Sequence, residues 1–375
     1  MTVTKPGSRG SERGNTYLRA ADRYLGIPLL ATAGLLRRRR SPRRPDDIRR
    51  IGMMNGGAIG DTVLLSPVAA DIAAAYSRAE VIIFTTPTLE PLTRVLPNVT
   101  SVLLPVTDPR AAISTIRAAR TDVFLDFHPW PRIGAVYALT SGAAFTAGFR
   151  TGGQYRHYAY DAVVEHSSVI HELENIRRLA AVLGVESTSA PQLSPAGAQL
   201  PGGQLPTSYV VFHLWPTGVG AEQKEWPAGR WRALVKGVIG AGHSVVLTGG
   251  PADSGRSDAF ARSCGIGDGR LVDTAGHYNL GELVDVLSSS DCVVSVNTGV
   301  AHIAAATGVP TLTLNGPTSA RRWGPIGERA TSIDSTLDGC GFLNLGWEFA
   351  GRRSDCMEGI STEAVLEAVL DALKQ

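Results

Sequence analysis

Cysteine is scarce in this chain. The 375 residues include four, Cys264, Cys292, Cys340 and Cys356. No two stand in a CxxC spacing, which argues against a zinc ribbon. Cys292 lies in an apolar run and reads as a small buried hydrophobe. Cys340 and Cys356 flank a loop-rich stretch and could approach each other, but the expectation is two free thiols in a reducing cytoplasm. Several motifs are absent as well. No Asp-x-Asp occurs, so a metal bridging a diphosphate is not implied; neither a metal site nor a cofactor is expected. No GxGxxG occurs, which counts against a nucleotide-dependent oxidoreductase, and no Gly-Lys-Ser/Thr completes a Walker loop. Long hydrophobic runs are lacking too. The apolar stretch 24–36 has 13 residues, with two glycines and a proline, too short to span a bilayer, and the polar N-terminus does not resemble a signal peptide.

What is present is a well-fed core and an uneven charge. Hydrophobic residues make up 43% and charged residues 19%, enough for two α/β domains. Residues 1–50 hold 13 Lys/Arg against 4 Asp/Glu, which leaves the rest of the chain at −7 when the whole is +2. A mildly acidic body is a poor nucleic-acid binder. The basic load sits in one segment, 1–48, read as an N-terminal extension. Residues 1–16 read as disordered, 17–36 as a short helix broken near Pro28, and 37–50 as a basic connector. Arginines beside an apolar stretch suggest, through residues 17–50, contact with an anionic membrane surface; the plain alternative is a solvated tail.

From Ile51 the pattern changes to apolar runs of strand length alternating with helical stretches, the mark of a parallel sheet covered on both faces. Strands are predicted at 51–55, 80–85, 101–106 and 122–127, with helices at 62–76, 110–119, 132–140 and 171–183. The Ser-, Pro- and Gly-rich stretch 186–206 breaks the rhythm as a linker. Strands then return at 209–214, 243–248, 292–296 and 311–315. Helices are predicted at 228–240, 254–263, 279–289 and 299–307, with a last one at 362–373 that could pack back on the first domain. The division is 49–190, a linker at 191–207, and 208–375. Two doubly wound, Rossmann-like domains joined this way face a central cleft, and ligands bind at the carboxyl ends of the strands.

Four loops at those ends carry candidate chemistry. Asn55-Gly56-Gly57-Ala58-Ile59-Gly60-Asp61 follows the first strand. Its Gly56, Gly57 and Gly60 allow close backbone approach to a ligand. Asp61 is either an N-cap or a general base facing the cleft. Lys224, ahead of Trp226 and Trp231, could neutralise a diphosphate or be a solvated charge. Asn297-Thr298-Gly299-Val300-Ala301-His302 opens a helix; Thr298 can cap it, Gly299 leaves amides open to an anion, and His302 could donate to a phosphate oxygen or bond the backbone. Asn315-Gly316-Pro317-Thr318, Trp323-Gly324-Pro325 and Gly249-Gly250-Pro251 would line the same cleft, with Asp253 able to meet a ribose. The order puts an acid in the first half and a phosphate cradle in the second.

The segments GDTVLLSPVAADI (60–72), KEWPAGRW (224–231), VVLTGGPAD (245–253), NTGVAHIAAATGVPTLTLNGPT (297–318) and CMEGISTEAV (356–365) resemble glycosyltransferase family 9, the heptosyltransferase-like family. The likeness runs in order from about residue 50 to the C-terminus. It implies a GT-B fold and metal-independent, inverting transfer of a sugar, often heptose from ADP-heptose, onto a lipopolysaccharide core or other cell-envelope acceptor. The expected location is the cytoplasm, peripheral on the inner face of the cytoplasmic membrane through residues 17–50. By position, Asp61 matches the family's proposed base, Lys224 its donor-phosphate lysine, and Thr298, Gly299 and His302 its donor-binding helix start. Asn297 stands where the family usually has Asp, which bears on donor choice. The competing readings are a nucleotide-dependent oxidoreductase and a non-catalytic sugar-nucleotide binder.

Overall fold

The computed structural model describes residues 22, 24–37 and 44–374, apart from 56, 198, 202–204, 219 and 345–353. Residues 1–16, Gly56 and most of the arginine run therefore lie outside the described residues. Each half of the body forms one parallel sheet. The first contains β1 (Arg50–Met54), β2 (Glu80–Thr85), β3 (Thr100–Leu103), β4 (Val123–Asp126), β5 (Phe145–Arg150) and β6 (Ala162–Glu165), in the order β3-β2-β1-β4-β5-β6. The second contains β7 (Tyr209–His213), β8 (Ser244–Thr248), β9 (Leu271–Asp273), β10 (Cys292–Val296), β11 (Thr311–Asn315) and β12 (Ala330–Asp334), in the order β12-β11-β10-β7-β8-β9. Counted from its own first strand, each sheet has the same order. The winding reverses between β1 and β4 and between β7 and β10, which opens a crevice at the carboxyl ends of those strands.

The longer helices are α1 (Gly26–Arg37), α2 (Ile59–Ala75), α3 (Pro109–Ala118), α4 (Arg132–Thr140), α5 (Glu172–Ala180), α6 (Ala228–Gly240), α7 (Ser254–Cys264), α8 (Leu280–Ser288), α9 (Gly299–Ala306) and α10 (Thr362–Ala372). α2 is apolar on all sides because it is covered on all sides. Residues 62–69 and Ile72 are buried between the first sheet and α9 of the second lobe. Their cluster runs without a break from Val63 to Val300 and Ile303, so the lobes share core. Pro67 sits inside α2 and has no N–H for the Val63 carbonyl. The Ser66 hydroxyl donates to that carbonyl instead, at 2.7 Å.

Several expectations need correcting. The break expected near Pro28 falls at Leu25, a turn between helical Tyr24 and the start of α1 at Gly26, which puts the proline in a first turn, where no N–H partner is needed. The last helix does not return to the first lobe. α10 packs on α6, where Leu366 lies against Gly237, and Val365 and Val369 fill the second lobe's core. Cys340 and Cys356 are not free thiols but a disulfide. Backbone bonds bring them together: Gly341 N–H donates to Gly316 O and Leu343 N–H to Pro317 O, while Thr336 N–H donates to Gly359 O. Strands β5, β6, β9 and β12 were not foreseen.

Candidate active site between the lobes

The site is built where two helix starts meet. α2 follows β1 and α9 follows β10, and their first turns face each other across the crevice. A Cβ on Gly60 would lie 3.0 Å from the His302 ring, and one on Gly299 would stand 3.0 Å from Gly60 N and overlap Ile59. Only glycine at both positions lets the two termini come this close. Asp61 is in the first turn of α2, but Ala58 is the N-cap residue. The Asp61 carboxylate folds over Gly57, with one oxygen 2.7 Å from where a Gly57 side chain would start. Asn55, at the end of β1, fixes this turn by donating from Nδ2 to Asp61 O at 3.0 Å.

On the facing side, Thr298 is the N-cap of α9 by backbone conformation, yet its side chain makes no capping bond. Its hydroxyl lies 3.3 Å from that of Ser295. No side chain of its own thus satisfies the first amides of α9, which leaves them for an anion. His302 is buried and neutral. Burial, with His171 nearby, holds its pKa down at about 3. It bonds the Trp323 backbone, and its Nδ1 has no partner. A neutral imidazole has a single N–H, so contact with a phosphate oxygen would replace the Trp323 bond, and would be a hydrogen bond and not an ion pair.

Lys224 is not a solvated charge; it is 6% exposed and donates to Thr217 O at 3.3 Å. Asn297 is structural in its contacts. Its Nδ2 donates to Asn315 Oδ1 at 2.8 Å and Trp323 O at 3.3 Å, tying β10 to β11 and to the one-turn helix Ala320–Trp323. An aspartate could donate neither bond. Gly249 is required by packing, since a Cβ there would meet Trp215, Asp253 and Ala275 at 2.9–3.1 Å. Asp253 is already engaged: one oxygen accepts from Gly250 N–H at 2.8 Å, the other from Arg256 Nη2 at 2.7 Å.

Sequence reasoning missed two buried networks beside the cleft. In the first, Glu172 pairs with His166 (2.9 Å) in its own lobe and with Arg322 in the other. His171 Nδ1 accepts from Leu173 N–H at 3.1 Å, which leaves the proton on Nε2 to donate to Gly324 O at 2.9 Å. Asn344 Nδ2 donates to Ser168 O at 2.8 Å. These bonds join the lobes behind α2 and α9. In the second, Asp126 at the end of β4 accepts from Arg156, from Tyr160 (2.7 Å) and from His128 (3.2 Å to Nδ1). Arg156 holds the carboxyl below the usual carboxylate range despite complete burial. A lone His-Glu or Asp-x-His in a sequence gives no sign of such partners.

A family model described as glycosyltransferase family 9 (heptosyltransferase) matches residues 134–340, more than half of the chain. The chain belongs to glycosyltransferase family 9. Among curated relatives it is 32% identical over 111 residues to lipooligosaccharide heptosyltransferase 2 of Haemophilus influenzae (29% of this chain, 32% of the relative). It is 33% identical over 127 residues to lipopolysaccharide heptosyltransferase 1 of Pseudomonas aeruginosa (34% of each). The chain thus spans about a third of the length of these relatives. In structure it is similar to the ADP-heptose lipopolysaccharide heptosyltransferase II of Escherichia coli, with a TM-score of 0.71, 20% identity, and coverage of 87% of this chain and 99% of that one. The fold of the family member described here is therefore the GT-B arrangement. Among the described residues no His/Cys/Asp/Glu group is arranged to hold a metal.

Proposed function

We propose that this chain is an inverting, metal-independent glycosyltransferase. It would move a sugar, with heptose from ADP-heptose as the leading candidate, onto a hydroxyl of a lipid-linked or cell-envelope saccharide at the inner face of the cytoplasmic membrane. What supports this is the contact of Ile59 and Gly60, the residues just before Asp61 on one lobe, with Gly299 and His302 on the other. The leaving diphosphate would lie against the open amides of α9, with the Lys224 ammonium neutralising charge and the His302 N–H turning from the Trp323 backbone to donate to it. On the opposite wall, Asp61 would accept the acceptor's proton as its oxygen bonds to the anomeric carbon and the carbon–phosphate-oxygen bond breaks. One displacement of this kind inverts the anomeric centre. Membership in family 9 and the likeness to lipopolysaccharide heptosyltransferases support the sugar and acceptor classes.

The test is direct. ADP-heptose is offered with a heptose-free core oligosaccharide, and ADP release and transfer are measured. Asp61→Asn is expected to lower turnover by about 10²–10⁴-fold with donor affinity unchanged in calorimetry. Full turnover in that variant would remove Asp61 from the mechanism. Absence of transfer and of donor binding in the native protein would sink the donor assignment.

A further inference from the structure

Five of the eight large apolar side chains that stand exposed among the described residues fall in one block. Tyr24, Leu25 and Leu29, at 73%, 71% and 51% exposed, lie on α1 and just before it. Ile133 opens α4, and Tyr155 precedes the turn Arg156–Ala159; both are exposed. α1, α4 and that turn pack on one another. Asp22 binds the assembly together by accepting from Arg132 N–H (2.9 Å) and Nη1 (2.7 Å). Arg132 donates onward to the carbonyls of Gln154 (2.8 Å) and Gly153 (3.2 Å). The other face of α1 is committed: Leu30 is fully buried, and Gly34 lies so near Tyr158 that a Cβ would touch its ring at 2.9 Å. The helix is thus held by one face and presents apolar side chains on the other.

Charge selects what covers them. Directly after α1 the chain reads Arg38, Arg39, Arg40, Ser41, Pro42, Arg43, Arg44, with no acid before Asp46. Arg44 is anchored again, donating to Leu183 O at 2.8 Å. Arg37 ends α1, so the positive run is tied in sequence to the helix that carries the apolar block. A second copy would bring the same charge and be repelled. An anionic bilayer offers the opposite charge together with an apolar interior. No helix among the described residues is long and apolar enough to cross a membrane, so contact would be in the interface plane. We infer that α1, with Ile133 and Tyr155, is a docking face for an anionic lipid surface. The block stands at the carboxyl ends of β4 and β5, the same edge of the first sheet as Asn55 and Asp61. A lipid-linked acceptor would therefore arrive beside Asp61. That consequence rests on the glycosyl-transfer reading; the lipid contact itself does not.

The experiment is flotation of the full chain with vesicles of phosphatidylcholine alone, or with about one-third phosphatidylglycerol. Binding about tenfold stronger to the anionic vesicles is expected, weakening with salt. Leu25→Glu/Leu29→Glu should cut it about tenfold, and Tyr155→Ser, on a separate element, by a few-fold. Val169→Glu, also exposed but elsewhere, should leave it unchanged, and thermal unfolding should not move in any variant. Equal binding by the double variant, or no binding by the native chain, overturns the inference. So does light scattering that finds a native dimer which the double variant dissolves while vesicle binding stays the same. Calorimetric ADP-heptose binding by the same samples reports the donor site separately, so loss of one result does not entail loss of the other.

Discussion

At the scale of single residues, Asn297 shows how a change of one atom follows from its neighbours. The Asn297 amide donates to Asn315 Oδ1 and Trp323 O, and Asn315 is held in that orientation because its own Nδ2 donates to Thr313 O at 3.3 Å. Asn297→Asp would set a buried carboxylate against two acceptors. We expect it to lower stability by about 1–3 kcal/mol, read by urea unfolding, and to lower donor affinity as charge enters the phosphate side of the cleft. A stable Asn297→Asp protein would show that Asn315 can flip. Two buried histidines give a pH prediction. Burial holds His213 at about 4 and His302 at about 3, both below the ordinary 6.5. The unfolded chain therefore takes up protons first. The stability linked to each is complete above pH 6.5 and lost as pH falls toward the folded values. Moving from pH 7.5 to 5.5 should cost about 1 kcal/mol for each histidine. His213→Asn, which keeps a partner for the Thr248 hydroxyl, should remove about half of that loss. An unchanged slope would mean that His213 charges freely in the fold.

At the scale of elements, the strands visible in the sequence are those with continuous apolar runs, and the structure explains why the others were not. β1, β7 and β10 are central and buried along almost their whole length. β6, β9 and β12 lie at sheet edges and are short or half-exposed. β5, inside β6, carries Gly148, over which the Tyr160 ring closes, so its sequence FTAGFR lacks a strand's usual bulk. The helix starts at Asp61 and Thr298 were legible because glycine and strand end coincide there. The interlobe bonds of His171, Glu172 and Arg322 were not, because each needs a partner about 150 residues away. The closeness of α2 and α9 makes a sharp prediction. Gly299→Ala would drive a methyl into Ile59 and against Gly60, so the lobes must separate or the helices shift. A loss of about 1–3 kcal/mol is expected, together with weaker donor binding in calorimetry. Native stability and affinity in this variant would mean that the two turns are not held in contact in solution.

At the scale of the whole molecule, the question is what keeps two lobes with separate sheets in one closed arrangement. Shared core between α2 and α9 does part of it, but apolar contacts are not directional. Direction comes from the polar latch behind them. Glu172 is 3% exposed, and Arg322, also 3% exposed, stacks over Trp323 with its guanidinium carbon 4.2 Å from the ring. Because Trp323 O also accepts from Asn297 and the Trp323 backbone bonds His302, the latch and the phosphate side of the cleft hang on the same one-turn helix. Removing Arg322 therefore acts at a distance. Arg322→Met keeps bulk beside Trp323 but leaves the buried Glu172 carboxylate with only His166 and the neutral Asn175 amide as partners. Breaking a buried pair from one side costs about 3–5 kcal/mol, and part of that is relieved if the lobes swing apart and hydrate Glu172. The expected result is a lower unfolding temperature together with a larger radius of gyration by small-angle scattering, and donor binding weakened without any contact between Arg322 and the donor. Glu172→Gln/Arg322→Met, which leaves no charge stranded, should recover much of the stability while remaining more open than the native chain. If the double variant is as compact as the native chain, the shared core alone closes the lobes and the ion pair serves only to keep its own charges satisfied.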